Sequence, residues 1–463
     1  MILAIVLVLL VVGSVLFHFL SPWYFLPVAS NWSKIDESVT ITFWVTGFVF
    51  VVLNLFLAYV VMRYRHRHGV RAAYEPESKK LEGALVLLTT AGIIAMLAPG
   101  LFAWAKFVKV PKDIAVVEVL ARQWYFNFRF PGVDGLLGTV DARFVSDTNP
   151  FGINPDDPDG QDDVLISGPQ LHLPVGKPVK VDLRSIDVLH DFTVPQFRAK
   201  MNMVPGLVTY FWFTPTRTGR FDAYCEQLCG IAHFAMRGKV IVDEVPAFKT
   251  WLSSYPTFAQ SRAQAAGDPA AGMALYAVCA ACHGAQAEGN PALNAPKLSG
   301  QGAWYLRREL TNFKNGARGA AEQDVAGKSM AAMAATLATG ADIANVVAYI
   351  ETLPDNPAPT TVNGNARRGQ NSYLTCGACH GADGRGVQAM NAPRLKGMSD
   401  WYLVTQLKNF KQGIRGGHPN DMYGPQMALL AAILVDDRAT NDLVSYINTL
   451  QTNPRHEELA KRN

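Results

Sequence analysis

Three short stretches carry side chains that packing alone does not explain. The first is YCEQLCGIAHFAM, where Cys225, Cys229, His233 and Met236 follow one another at intervals of 4, 4 and 3 residues. Upstream, DVLHDFTVP adds His190. Thiolate, imidazole and thioether donors select copper or iron over hard cations. A mononuclear blue-copper site needs one Cys, whereas two Cys with two His and a Met suit a pair of coppers bridged by both sulfurs. The other two stretches are CAACH (Cys279, Cys282, His283) and CGACH (Cys376, Cys379, His380). Cys-x-x-Cys-His is the signature of covalent c-type haem attachment: the thiols form thioethers and the His ligates iron. All six cysteines then have roles, two on copper and four on haem, and none remains for a disulfide.

The haem motifs belong to an internal repeat with a constant offset of 97 residues. Gly272 and Tyr276 pair with Gly369 and Tyr373, NAPKL at 294–298 with NAPRL at 391–395, Trp304-Tyr305 with Trp401-Tyr402, and Tyr349-Ile350 with Tyr446-Ile447. A period held without insertion marks a duplicated domain. The sixth iron ligand must be a soft donor downstream. Met330 and Met427 keep the offset, while Met333, a nearby alternative in the first copy, has Leu430 as its counterpart.

These groups need elements to hold them. The chain has 463 residues, 49% hydrophobic and only 17% charged, which suggests a membrane portion joined to soluble portions. The net charge of 42 − 38 = +4 is too small to argue for a nucleic-acid partner. Ile2–Leu20, Thr40–Met62 and Gly83–Ala105 are apolar runs, each long enough to span a bilayer as a helix. The first lacks the basic flank and small-residue exit site of a cleaved signal peptide, so it is expected to stay. Arg63, Arg65, Arg67, Arg71, Lys79 and Lys80 crowd the loop between the second and third runs. That loop is therefore expected inside, and everything after about residue 108 outside.

After the third run come short β-rich stretches separated by Pro-Gly and Thr-Gly turns: Ile114–Leu120, Gln123–Phe130, Val179–Leu183, Tyr210–Phe213 and Lys239–Val242. Such a pattern predicts a sandwich or barrel. Residues 147–169, rich in Asp, Pro and Gly, are expected to form an exposed insertion. The expected layout is a three-helix anchor (1–108), a β domain (109–248), a linker (249–268), a first haem domain (269–354), a connector (355–364) and a second haem domain (365–455).

From about residue 38 to 245 the chain resembles subunit II of the haem–copper respiratory oxidases, which carry a binuclear CuA centre in a β-sandwich of the cupredoxin fold. The resemblance implies CuA ligands at His190, Cys225, Cys229, His233 and Met236, with the backbone carbonyl of Gln227. It implies electron entry near Trp124 in RQWYFNF, and it matches Glu82 to a residue associated with proton entry. Gln227, Asn202 and Leu207 depart from the family's usual Glu, Asp and Arg, and the first span is an addition. The repeat resembles tandem all-α class I cytochromes c, with Met330 and Met427 as axial ligands.

Together the two resemblances imply the electron-entry subunit of a bacterial cytochrome c oxidase. It would sit in the inner membrane with its C-terminal domains on the periplasmic side. A c-type donor would supply electrons through two haems c and CuA to a catalytic subunit I, with subunit III alongside, for oxygen reduction coupled to proton translocation. A CuA-containing nitric oxide reductase is the alternative, to which the departures at Gln227, Asn202 and Leu207 lend weight.

Overall fold

The computed structural model describes residues 2–21, 25–66, 68–69, 71, 77–146, 148–263, 267–421 and 423–451. Arg67 and residues 452–455 of the expected second haem domain lie outside these. Helices α1 (Ile2–Leu20), α2 (Ser33–Arg63) and α3 (Lys79–Val108) are each long and apolar enough to cross a membrane. The second and third extend past the charge-free runs at both ends, because backbone hydrogen bonding carries a helix on through the interfacial turns. α1 packs along α2, where Ala4, Val11 and Ala58 are buried, small side chains that let the two backbones approach.

The β domain is a sandwich. Its strands are β1 (Ala115–Arg122), β2 (Tyr125–Phe130), β3 (Val164–Ser167), β4 (Gln170–Pro174), β5 (Val179–Ser185), β6 (His190–Val194), β7 (Ala199–Met203), β8 (Thr209–Phe213), β9 (Gly219–Tyr224) and β10 (Arg237–Asp243). One sheet has the order β3-β2-β1-β5-β8, the other β4-β10-β9-β6-β7. In β5 the pattern is plain: Val179, Val181, Leu183 and Ser185 are buried while Lys180, Asp182 and Arg184 between them are not, the period of two expected of a strand with one face on a core. Phe126, Phe128, Phe192, Phe211 and Phe213 fill the space between the sheets.

Residues 147–169 are not simply an exposed insertion. Phe151 and Ile153 are fully buried against Leu120 and Phe258, and the stretch contains β3. Two apolar residues among Asp, Pro and Gly are enough to anchor the excursion to the sandwich. The segment expected as a linker likewise carries structure, α4 (Val245–Ser253) and α5 (Phe258–Arg262). Trp251 of α4 stacks on His172 with ring centroids 4.1 Å apart, and the Thr257 side chain caps α5 with Gln260 closing the box. The sandwich is also strapped to the membrane helices. Trp32 Nε1 donates to Trp212 O (2.8 Å), Ser30 Oγ to Phe197 O (2.7 Å), and Arg198 grips Asp36 (2.5 Å).

Each haem domain is four helices: α6 (Pro269–His283), α7 (Ala303–Lys314), α8 (Val325–Ala335) and α9 (Gly340–Glu351), then α10 (Ala366–His380), α11 (Asp400–Lys411), α12 (Gly424–Ala431) and α13 (Asp437–Thr449). The first and last helices of each set cross closely at a glycine. A Cβ on Gly272 would strike the Asn345 carbonyl, and one on Gly369 the Asp442 carbonyl. One turn on, Tyr276 meets Tyr349 and Tyr373 meets Tyr446, both with centroids 5.3 Å apart. The repeated Gly and Tyr are thus the crossing contact of each domain.

Candidate metal centre and haem sites

The two cysteines of the first stretch lie in the loop between β9 and β10, and His190 opens β6 beside them. The Cys225 and Cys229 sulfurs are 3.7 Å apart. His190 Nδ1 lies 3.9 Å from Cys225 Sγ, His233 Nδ1 3.4 Å from Cys229 Sγ, Met236 Sδ 3.8 Å from Cys229 Sγ, and the Gln227 carbonyl 3.2 Å from Cys225 Sγ. Every donor expected from the sequence therefore converges on the sulfur pair. The contact between the two sulfurs holds the Cys225 thiol well below its ordinary range, against the upward push of burial and with His190 helping, while Cys229 is pushed up in turn. A site that gives up one thiol proton so readily is prepared for a cation. These soft, mostly buried donors fit a pair of coppers, which when bound supply one-electron transfer.

Asp187 is a residue that the sequence reading missed. Its carboxylate oxygen stands 2.8 Å from His190 Nε2, and its other oxygen accepts from the Gln123 backbone N–H at 2.7 Å. It orients the imidazole so that Nδ1 faces the sulfurs, the usual second partner of a metal-ligating His. Asking what holds the far nitrogen of His190 would have found it, three residues upstream. Trp124 is tied to the same loop: its indole Nε1 donates to Cys229 O at 3.1 Å, as does Gln123 Nε2 at 2.7 Å. Glu82 is not brought near. It sits exposed in the first turn of α3, about 39 Å of helix from that helix's last residue.

In the haem domains, His283 and His380 end α6 and α10. Each donates from Nδ1 to a proline carbonyl, Pro296 and Pro393, at 2.7 Å. This leaves Nε2 free to ligate, and burial pushes both rings below their ordinary pKa, toward the neutral form that binds a metal. Met330 on α8 and Met427 on α12 face the same connected cavity as both Cys-x-x-Cys-His motifs; Met333 lines it too, but is 41% exposed. The cavity wall also carries Arg308, Arg318 and Arg415 around the Glu309 carboxylate, and among the described residues Arg415 Nε is buried without a hydrogen-bond partner. A cationic wall with an unused buried donor fits the carboxylates of haem, whose iron when bound supplies a second kind of one-electron centre.

The connector joins the two proximal loops. Asp355 takes Lys297 Nζ on one oxygen (2.7 Å) and Arg394 Nη1 on the other (2.6 Å), so both NAP-K/R-L segments share one carboxylate. Burial raises the Asp355 carboxyl, but the two cations outweigh it and hold it below its ordinary range.

The second haem domain lies on the sandwich. Gln426 Nε2 donates to the Trp124 carbonyl (2.8 Å) and Arg122 to Ala389 O (3.3 Å). Ala378, Cys379, Met390 and Leu430 pack against the sandwich core, and α12 touches residues 233–235 of the copper loop. Trp124 is 5% exposed beneath this contact. The same loop leaves Leu228 and Ile231 exposed away from this contact, and Phe234 partly exposed beside it.

A β-sandwich whose loop gathers two sulfurs, two imidazoles and a thioether, followed by two helical domains built on Cys-x-x-Cys-His, defines a membrane-anchored electron-transfer protein. Residues 115–245 match the family model for the cytochrome c oxidase subunit II periplasmic domain, and residues 269–354 and 366–451 match that for cytochrome c. The chain is 57% identical over 256 residues to the alternative cytochrome c oxidase subunit 2 of Bradyrhizobium diazoefficiens, covering 55% of this chain and 92% of that one. It is 26% identical over 227 residues to cytochrome c oxidase subunit 2 of Cereibacter sphaeroides, covering 45% and 74%. Its C-terminal part is 36% identical over 162 residues to cytochrome c4 of Pseudomonas aeruginosa, covering 33% and 76%. The chain belongs to the cytochrome c oxidase subunit II family and carries two cytochrome c domains after the copper-type domain.

Proposed function

We propose that the chain is the electron-entry subunit of a bacterial haem–copper terminal oxidase. A c-type donor delivers electrons to a haem held by Cys279, Cys282, His283 and Met330. They pass to a haem held by Cys376, Cys379, His380 and Met427, then to a dicopper centre at Cys225 and Cys229, and on to a catalytic subunit I that reduces oxygen and moves protons. The observation that carries the order of the two haems is the seating of the second haem domain over Trp124 and the copper loop. An outside donor meets the first domain, while the Trp124 face is covered by the chain itself. Tethering the carrier raises its effective concentration at the copper site. The exposed Leu228 and Ile231 support a partner subunit seated on the copper loop. Glu82, at the far end of the third span, belongs in this reading to proton uptake on the opposite side.

The test uses the complex purified from the plasma membrane. Two haems and two coppers per chain are expected, together with oxygen consumption driven by a reduced c-type donor. Copper content unchanged in Cys225→Ser would overturn the metal assignment. Consumption of nitric oxide without oxygen would move the chain to the alternative reading, which Gln227, Asn202 and Leu207 favour.

A further inference from the structure

The copper loop is held at both ends, by groups of opposite kind. At its Cys229 end two side chains, Gln123 and Trp124, donate to the Cys229 carbonyl. At its Cys225 end a carboxylate accepts. Asp191 Oδ1 takes the Glu226 backbone N–H at 2.6 Å and the Thr193 hydroxyl at 3.3 Å. The Asp191 backbone N–H in turn faces the Cys225 sulfur and helps to hold that thiol low. Strand β6 and the loop therefore exchange hydrogen bonds in both directions, across residues 191, 225 and 226.

A carboxylate at this place is not what packing would choose. All five residues of β6 are buried, and Asp191 is 0% exposed. Phe192 and Val194 supply the strand's share of the core. A buried carboxylate is disfavoured unless it is paired and hydrogen-bonded. Its pairing comes from Lys200 of β7, whose Nζ stands 3.3 Å from Asp191 Oδ2 and 2.7 Å from Glu226 Oε2. Oδ2 makes no hydrogen bond among the described residues, so Lys200 balances the group while Oδ1, on the loop, sets its direction.

We propose that Asp191 is a positioning residue for the dicopper centre. It pins residue 226, so that the Cys225 sulfur and the Gln227 carbonyl, one residue to either side, stay where a pair of coppers bridged by the two sulfurs needs them. Asp191 is not a ligand; it acts through Cys225 and Gln227. The two aspartates flanking His190 then divide the work: Asp187 aims the imidazole, and Asp191 places the sulfur that the imidazole faces. The assignment rests on the function proposed above, because it takes the loop to hold two coppers.

The test uses the full-length, haem-loaded protein in detergent. Copper affinity is read by competition with a copper chelator, and the copper hyperfine pattern by electron paramagnetic resonance. Asp191→Ala should lower the affinity about 10–100-fold, the loss expected when a group that orients a metal ligand is removed. The hyperfine pattern of an electron shared equally by two copper nuclei should give way to that of one held mainly by a single nucleus. Asp191→Asn, whose amide oxygen still accepts from the Glu226 N–H, should restore the shared pattern. A role in folding alone would lower thermal stability and leave the pattern as it was. Wild-type affinity and pattern in Asp191→Ala, or a pattern lost equally in Asp191→Asn, would overturn the proposal. Should Asp191→Ala not fold, Lys200→Met carries the test, since the Lys200 side chain is 51% exposed. It should shift affinity and pattern in the same direction by a smaller factor, and no shift there would overturn the proposal. Failure of the underlying function shows separately, as fewer than two coppers in the wild type or copper that is not reduced through the haems.

Discussion

The first and second haem domains share helices, crossing glycines and proximal loops, yet their surfaces have parted. In the first, Cys282, Val278 and Met333 are exposed. In the second, Cys379 is half-buried and Leu430, the counterpart of Met333, packs against the sandwich. Duplication kept what holds a haem and released what surrounds it. In the proposed route the first copy is the outer station, while the second lies over Trp124. A role can thus be read from the surface a repeat buries, where the motif it carries says only that both copies can do the same chemistry.

The sharpest way to break this comparison is Leu430→Asp beside Met333→Asp. An unpaired carboxylate in a packed interface should weaken docking by about 3 kcal/mol, or about a hundredfold. Laser-flash measurement of haem-to-copper transfer should show that loss for Leu430→Asp and no change for Met333→Asp. Equal behaviour of the two would dissolve the distinction between the copies.

Next is Asp355→Asn, which leaves two cations without their shared partner. Lys297 is almost wholly buried, its side chain 1% exposed, while that of Arg394 is 21% exposed. The first domain should therefore lose more stability, about 1–3 kcal/mol, seen by following each domain's thermal unfolding. Acid should imitate the substitution. Asp355 has its folded pKa held below the unfolded value of about 3.9, so its contribution is complete above that value and is lost as pH falls through the lower folded one. The variant should lack that acid-dependent loss.

The smallest effect is expected for Gln426→Ala. It removes one hydrogen bond to the Trp124 carbonyl, worth about 1 kcal/mol, and should slow transfer about fivefold without altering either haem spectrum. A spectral change in that variant would mean that Gln426 supports the haem pocket and not the docking.

The donor atoms were legible in the sequence because coordination and thioether chemistry demand particular side chains at short spacing, as in Cys225, Cys229 and His233 or in Cys279, Cys282 and His283. The membrane spans were legible because hydrocarbon tolerates few alternatives to a long apolar helix. What escaped were partners chosen through space. Lys297 and Arg394 meet on Asp355 only once two loops and a connector have folded, and nothing in the local sequence marks a carboxylate for that task. The docking face escaped for a different reason: Met390, Gln426 and Leu430 are ordinary surface or core types, and only their placement makes an interface. Phe151 and Ile153 were hidden by their neighbours, since an Asp- and Gly-rich stretch reads as solvated even when two of its side chains are anchors.

The strap formed by Ser30, Trp32 and Asp36 has one more consequence. By clamping the head of the molecule to the top of its second span, it fixes the height and tilt at which the sulfur-lined loop rides above the lipid, so a neighbour in the bilayer would find that loop already level with its own surface and need not wait for it to swing into reach.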